Sequence, residues 1–319
     1  MPHPAPAAGG ARMLGYTLRQ LEYFVAVGET GSIAAASEKV NVSSPSISAA
    51  IAHLEAVFGL PLFVRQHAQG LSLTSGGRRM LEQARTVLRE ADALMDLSGD
   101  ISGLVRGPLV VGCLLTFAQV VLPPVRRSFQ DAYPEVRVEQ HELNQADIFS
   151  FLRRAEIDVA LTYDLDLPAD LTFEPLIELP PYAIVAEDHV LADRKTVAVE
   201  DLLGLPMVLL DLPFSAEYFL SFFARIGAKP VIAERTRDMA VMRGLVANGF
   251  GYALANVRLL SDVSPDGKPL KFIPLEGDAR PMRLGLLMAE GAGSASVVRA
   301  FVEHCKARVT PDHLPGVKI

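Results

Sequence analysis

The stretch Ile33-Ala34-Ala35-Ala36-Ser37-Glu38-Lys39-Val40-Asn41-Val42-Ser43-Ser44-Pro45-Ser46-Ile47-Ser48-Ala49-Ala50-Ile51-Ala52-His53-Leu54 decides the fold of the first third of the chain. Ile33, Ala36 and Val40 recur at helical spacing and predict a short helix capped by Ser32. Asn41-Val42-Ser43 is a tight turn. Ser43 or Ser44 can cap a second helix with Pro45 in its first turn, where a missing N–H costs little. Ile47, Ile51 and Leu54 point inward. Ser44, Ser46, Ser48, Ala49 and His53 lie on the other face, and Gly59 ends the helix. Two short helices joined by a tight turn suggest a helix-turn-helix. A major groove about 12 Å wide admits one helix, and short outward side chains let its N-terminus approach base edges. A plain helical hairpin with an exposed serine face is the alternative.

Upstream, Thr17 can cap a helix whose buried stripe is Leu18, Leu21, Phe24, Val25 and Val27, ending at Thr30-Gly31. Residues 1–15 hold three prolines in the first six positions and a Gly-Gly pair, so they are expected to be a disordered tail. Met13 is a second candidate start. Downstream, Leu62–Arg65 and Leu71–Thr74 are short extended runs around Gln66–Gly70, a hairpin that fits a wing. Arg65 and His67 near its tip stand where phosphate is within reach, and a solvated loop is the alternative for the same residues. These elements give an expected DNA-binding domain over 16–75. Thr74 or Ser75 opens a long helix, assigned to 76–104. Leu81, Ala84, Leu88, Ala91 and Met95, with Met80, Val87 and Leu94, form a broad apolar seam that predicts a dimer contact. Packing against its own domain is the alternative.

Residues 105–319 change pattern. Leu109–Cys113, Asp158–Thr162, Tyr182–Glu187, Met207–Asp211, Tyr252–Ala255 and Leu284–Ala289 look like buried strands. Amphipathic stretches at Val121–Ala132, Ile148–Ala155, Ala216–Ile226, Met239–Asn248 and Ser296–Arg308 alternate with them. This α/β pattern predicts parallel sheets covered on both faces, in two lobes. The first is expected over 107–180 and 288–319, the second over 181–287. Open α/β sheets bind ligands at the carboxyl ends of strands.

Composition sets the outer limits. Of 319 residues, 50% are hydrophobic and 21% charged, which excludes a wholly disordered chain. Net charge is −7. Residues 1–96 hold eight basic and eight acidic side chains, and the rest carry the whole deficit. No run of about 18 uncharged apolar residues and no secretory signal is present, so no membrane partner is expected. Two cysteines, Cys113 and Cys305, make no disulfide framework, and the chain is expected in the cytoplasm. The histidines and cysteines show no metal spacing, and no cofactor is expected.

Taken in order, Leu18-Arg19-Gln20-Leu21, Phe24-Val25-Ala26-Val27, Gly31-Ser32-Ile33, Ala35-Ala36, Val42–Ser48, Ile51, Leu54-Glu55, Gly59–Arg65 and Leu73–Gly77 resemble the N-terminal domain of LysR-type transcriptional regulators. Tyr133-Pro134-Glu135-Val136, Glu156–Ala160 and Val246–Tyr252 resemble the family's effector domain. The resemblance implies a winged helix-turn-helix, a linker helix and a two-lobed, periplasmic-binding-protein-like effector domain, assembled as a dimer and tetramer. It implies double-stranded DNA, RNA polymerase and a small organic effector as partners. Its expected DNA-facing residues are Ser43, Ser44, Pro45, Ser46, Ser48, Ala49, His53, Arg65 and Thr74. The family commonly has Gln at position 44 and Arg at 49. Ser44 and Ala49 are shorter, which predicts an unusual operator preference, leaning on shape or thymine-methyl contacts.

The same resemblance puts the effector between the lobes. Thr116, in the turn Leu115-Thr116-Phe117, matches the family's hydroxyl contact. Further strand-end candidates are Asn144, Gln145, Thr162, Tyr163, Asp211, Phe214, Ser215 and Tyr218, with Asn248 and Tyr252 expected across the cleft. They suit a ligand with a polar or anionic end, such as a carboxylate, on an apolar or aromatic body. No lysine or arginine stands at these strand ends, which argues against a bisphosphate. Asp164 and Asp166 are taken as a loop after a strand. An α/β enzyme with an accessory helical domain is the main alternative. No G-x-G-x-x-G after a strand, G-x-x-x-x-G-K-[ST], G-x-S-x-G or H-E-x-x-H supports it. A solute-binding protein fits less well, for want of an export signal.

Overall fold

The structure, a computed structural model, describes residues 15–66, 70–102 and 105–313. The chain forms two compact units, residues 1–95 and 96–319. The expected tail, apart from Gly15, and His67 lie outside the described residues.

The first unit contains α1 (Leu18–Thr30), α2 (Ile33–Val40), α3 (Ser44–Phe58), β1 (Phe63–Gln66), β2 (Gly70–Leu73) and the start of α4 (Ser75–Ser102). A capping box opens α1: the Thr17 hydroxyl accepts from the Gln20 N–H, and Gln20 Oε1 accepts from the Thr17 N–H. Ser32 caps α2 through the Ala35 N–H. Asn41 makes the turn in left-handed backbone (φ 52°), which a short amide side chain tolerates. Leu21, Phe24, Val27, Ile47, Ile51, Leu54 and Leu62 form one core. Leu18, expected in that stripe, is instead exposed. β1 and β2 pair antiparallel in register Phe63–Leu73, the expected wing. The Glu55 carboxylate accepts from the Leu62 and Phe63 N–H groups and so ties α3 to β1.

The seam on α4 divides. Leu81 and Ala84 are buried in the unit's own core, and Met80, Val87 and Leu88 pack against it. A Cβ at Gly28 would lie 2.9 Å from a Leu81 methyl, so glycine there lets α4 approach α1. Arg85, 7% exposed, pairs with Glu29, which also binds Lys39. Leu94 remains 68% exposed. The alternative reading therefore holds for the Leu81 side of α4, because that face is covered by α1.

In the second unit the first lobe holds β3 (Gly107–Leu114), α5 (Leu115–Ala118), α6 (Leu122–Ala132), β4 (Val136–Leu143), α7 (Gln145–Arg153), β5 (Val159–Tyr163) and β6 (Leu171–Leu179). The second holds β7 (Tyr182–Ala186), β8 (Pro206–Leu210), α8 (Ser215–Arg225), β9 (Val231–Thr236), α9 (Met239–Ala247), β10 (Ala253–Ala255) and β11 (Leu270–Pro274). The chain then returns through β12 (Met282–Ala289) and α10 (Ser296–Arg308). The first sheet has the order β4-β3-β5-β12-β6. The return thus comes at Met282, not at 288, because β12 pairs with β5 and β6.

The sheets are mixed rather than wholly parallel. β3 runs parallel to β4 and β5, but β12 is antiparallel to both neighbours. In the second lobe β7 lies antiparallel between β10 and β11, while β8 and β9 are parallel. A strand covered on both faces is apolar throughout whichever way it runs, so the apolar runs carried no direction. Among the described residues no helix is long and apolar enough to cross a membrane.

Candidate nucleic-acid interface and effector cleft

In the first unit α3 presents Ser43, Pro45, Ser46, Ser48, Ala49 and His53 to solvent, with Ser44 half-buried. Ser43 stands at the N-cap position but makes no side-chain cap, contrary to expectation. A cap must accept from the second or third helical N–H. The second position is Pro45, which has none, and the Ser46 N–H donates to the Ser43 carbonyl at 3.0 Å. The Ser43 hydroxyl instead shares a 2.8 Å hydrogen bond with that of Ser46. The Ser48 hydroxyl donates back to the Ser44 carbonyl at 2.9 Å.

His53 Nδ1 lies 3.1 Å from Gln20 Nε2, so α1 steadies the outer end of α3. Thr74 opens α4, one of the two residues expected to do so. Its hydroxyl donates to the Pro61 carbonyl and accepts from the Gly77 N–H, so it caps α4. Arg65 lies on β1, with its side chain outside the described residues. Sequence reasoning had not assigned Gln20 and Glu55 a role. The Thr17-x-x-Gln20 spacing is the signal that could have found the first.

In the second unit the carboxyl ends of β3, β4 and β5 gather most of the expected residues. Leu115 is exposed, whereas Thr116 and Phe117 are buried. The Phe117 ring packs on Tyr163 at 4.6 Å. Asn144 caps α7 by accepting from the Asp147 N–H. Gln145 is 1% exposed, and its Nε2 donates to the carbonyls of Tyr163 and Leu165. Those two carbonyls fix the amide, so Oε1 faces away from them and has no partner. The hydroxyls of Thr116 and Thr162 are also buried and unpartnered. Burial pushes the Tyr163 phenol up, and the Thr116 hydroxyl beside it offsets part of that without a full hydrogen bond.

The second lobe meets these groups at its own strand ends. Phe214, in left-handed backbone (φ 65°), sets its ring 5.7 Å from Phe149 of α7. Ser215 and Tyr218 are buried on α8, and Asp211 pairs with Arg235. The Tyr218 hydroxyl donates to the Arg280 carbonyl and accepts from Asn256 Nδ2. Burial pushes that phenol up to about 12.

Asn248 and Tyr252 do not join the cleft. Tyr252 pairs with Met207 at the start of β8, while Asp211 and Phe214 follow its end. Asn248 caps α9 and bonds Asp266 and Lys268 on the same far side. The residue that β10 delivers to the cleft end is Asn256, buried, with Oδ1 unpartnered. The strand-end rule, applied after Ala255 rather than before Ala253, would have found it.

Asp164 lies in the loop directly after β5, as expected, but it is not a solvated acid. Its side chain is 1% exposed, and it accepts from the Arg283 N–H, Arg283 Nε and Arg280 Nη2 at 2.8, 2.7 and 2.6 Å. Two arginines therefore do reach the end of β5, brought by the returning strand, and both are engaged with this carboxylate. Among the described residues no group of His, Cys, Asp and Glu could hold a metal ion.

Comparison with known proteins assigns both units. Residues 18–78 match the bacterial regulatory helix-turn-helix protein, lysR family, and residues 102–310 match the LysR substrate binding domain. The chain is 27% identical over 255 residues to the uncharacterized HTH-type transcriptional regulator YvbU of Bacillus subtilis, covering 80% of this chain and 84% of that protein. It is 26% identical over 295 residues to the DNA-binding transcriptional dual regulator OxyR of Escherichia coli, covering 92% and 95%. Among solved structures, HinK, a LysR family transcriptional regulator from Pseudomonas aeruginosa, is 34% identical with a TM-score of 0.63, over 92% of this chain and 99% of that one. A full-length OxyR from the same organism, 19% identical with a TM-score of 0.72 over 91% and 97%, shares the fold. The winged helix-turn-helix and the two-lobed effector domain are one regulator: the chain belongs to the LysR family of DNA-binding transcription regulators and is not an enzyme.

Proposed function

We propose that α3 lies in the major groove of an operator as one half of a symmetric pair, and that a small organic effector between the lobes changes the assembly. The observation that carries the first part is the exposed row Pro45, Ser46, Ala49 and His53 on α3. These side chains are short at the start of the helix, where a recognition helix approaches base edges. Ser44 and Ala49 cannot make the long bidentate contacts of Gln and Arg, so operator choice leans on DNA shape and methyl contacts. Arg65 on the wing adds a phosphate contact.

The exposed Leu94 end of α4 supplies the dimer contact, since the Leu81 face is taken. Effector domains pair further into a tetramer, RNA polymerase is met on the promoter, and the regulator works in the cytoplasm. The effector binds through Thr116, Gln145, Thr162 and Tyr163, with Asn256 opposite. Three hydroxyls can donate to one carboxylate, while Arg280 and Arg283 at the end of β5 are held by Asp164. It shifts the assembly only by as much as it prefers one state.

Peroxide sensing by thiol is a poorer reading, although several relatives are hydrogen peroxide-inducible genes activators. Cys113 and Cys305 are both buried, and burial pushes both thiols well above their ordinary range. The thiolate is the form that reacts.

The test is electrophoretic mobility on the DNA upstream of the protein's own gene at two salt concentrations. Selective binding that weakens steeply with salt is expected. Binding without sequence preference would overturn the reading. Leu94→Glu should lower both dimer content and DNA affinity. A monomer with undiminished affinity would end the dimer scheme.

A further inference from the structure

Gln20 and His53 hold a proton inventory that closes without choice. Gln20 Oε1 accepts from the Thr17 N–H at 2.9 Å, the second half of the capping box. The amide is thereby oriented, because a flipped amide would set an N–H against an N–H. Its Nε2 then donates, and the atom it meets at 3.1 Å is His53 Nδ1. That nitrogen must accept, so it carries no proton. The remaining proton sits on Nε2. His53 is exposed, on the face of α3 that carries Ser46 and Ala49.

Position decides what the Nε2–H meets. His53 lies nine residues after Ser44, or about 14 Å along the helix axis. The groove is only about 8.5 Å deep. With the start of α3 at the base edges, His53 is at the rim, where the acceptors are phosphate oxygens. It also touches the first turn of α1, through Gln20.

We infer that His53 is an uncharged phosphate contact, held by Gln20 in the tautomer that turns Nε2–H toward the DNA backbone. This rests on α3 facing the DNA. The contact positions the helix without reading sequence and without releasing a counterion. Gln20 is a positioning residue, because it acts only through His53.

The experiment uses the full-length chain, a duplex selected from a random pool and a scrambled duplex of the same length. Titration across a range of salt is followed by fluorescence anisotropy. His53→Ala is expected to weaken binding to both duplexes by the same factor, about tenfold per half-site, and to leave the salt slope unchanged. His53→Gln, whose amide N–H replaces Nε2–H, should bind within about twofold of the parent. Nitrogen-15 spectra of the parent should show the proton on Nε2. A salt slope reduced by about one per half-site would mean a charged contact and overturn the inference. So would a loss confined to the selected duplex, no loss at all, or a proton on Nδ1. Ser46→Glu separates this from the underlying reading. If that variant binds both duplexes as the parent does, α3 is not the DNA face, whatever His53 does.

Discussion

The outward face of α3 and the strand ends of the effector domain both present hydroxyls and amides, but they treat them in opposite ways. On α3 the hydroxyls of Ser43 and Ser46 pair with each other, and that of Ser48 bonds the helix backbone. All three are exposed. At the strand ends the hydroxyls of Thr116 and Thr162 and the amide oxygens of Gln145 and Asn256 are buried and unpaired. An exposed hydroxyl can exchange water for a phosphate at little cost. A buried one without a partner costs about 1–3 kcal/mol until something supplies it. The first surface is ready for a large polar partner that arrives with its own water. The second stores a penalty that a ligand of matching polarity relieves.

Asp164 is the exception among the buried groups, and it gives the largest expected effect. Its carboxylate is fully engaged, while the two arginines it holds are about half exposed. Asp164→Asn leaves two guanidinium groups without their shared counter-charge at the junction of β5 and β12. The cost should fall at the lower end for a broken buried pair, about 3 kcal/mol. For a unit of this size that lowers its unfolding midpoint by roughly 6–12 °C. Calorimetry should show the loss in the effector-domain transition and leave that of the first unit in place. An unchanged midpoint would mean that the junction does not depend on this carboxylate.

Thr116→Val tests the opposite case. The substitution keeps the shape of a buried side chain and deletes a hydroxyl that has no partner. Stability without ligand should be unchanged or slightly higher. Affinity for whichever aromatic or aliphatic carboxylate stabilises the parent in a thermal-shift screen should fall by about 5–30-fold. Lower stability with intact affinity would show that the hydroxyl serves the fold and not a ligand.

The first unit has its own buried charge, at Arg85, and its partner is the partly exposed Glu29. Burial acts to raise the Glu29 carboxyl, but hydrogen bonds and charge from Lys39 and Arg85 outweigh it and hold the group below its ordinary value. A depressed carboxyl stabilises the fold above its unfolded pKa, and that contribution is lost as pH falls through the folded value. Glu29→Gln should therefore flatten the acid side of the first unit's stability profile and remove about 1 kcal/mol at neutral pH. Thermal melts between pH 3 and 7 read this directly. An unchanged acid limb would show that α4 is held to α1 by the Leu81–Gly28 packing alone.

How legible all this was in the sequence follows from the range of the interactions. The helices around Asn41–Ser43 were readable because cap, turn and apolar spacing all lie within a few residues. The same local logic failed at Ser43, where Pro45 removes the N–H that a cap would use. It held at Thr74, whose hydroxyl accepts from the Gly77 N–H at the start of α4, while its bond to the Pro61 carbonyl was out of local range. Most of the residues expected at strand ends lie there, because strand ends are local features. The Asp164 cluster was not found, since its partners lie 116 and 119 residues away. The far-side placement of Tyr252 depends on which end of β10 faces the first lobe, which an apolar run does not encode. The direction of β12 was hidden for the same reason.

The smallest expected effect concerns Ala49, exposed in the middle of the α3 face. The family resemblance implies an arginine at this position, where this chain carries no charge. Ala49→Arg adds a guanidinium without disturbing the core, since Ile47, Ile51 and Leu54 point the other way. If the face meets DNA, each new phosphate contact should steepen the dependence of log K on log salt by about 0.9, or roughly 1.8 for a dimer. At low salt the affinity for any duplex should rise several-fold, while the ratio of selected to scrambled duplex stays the same or falls. A rise in that ratio would mean that the arginine reads a base, and that the parent lost a specific contact at this position. No change in slope would place Ala49 away from the DNA. That outcome would remove the contrast between the two surfaces, because the paired serines of α3 would then be an ordinary solvated helix face.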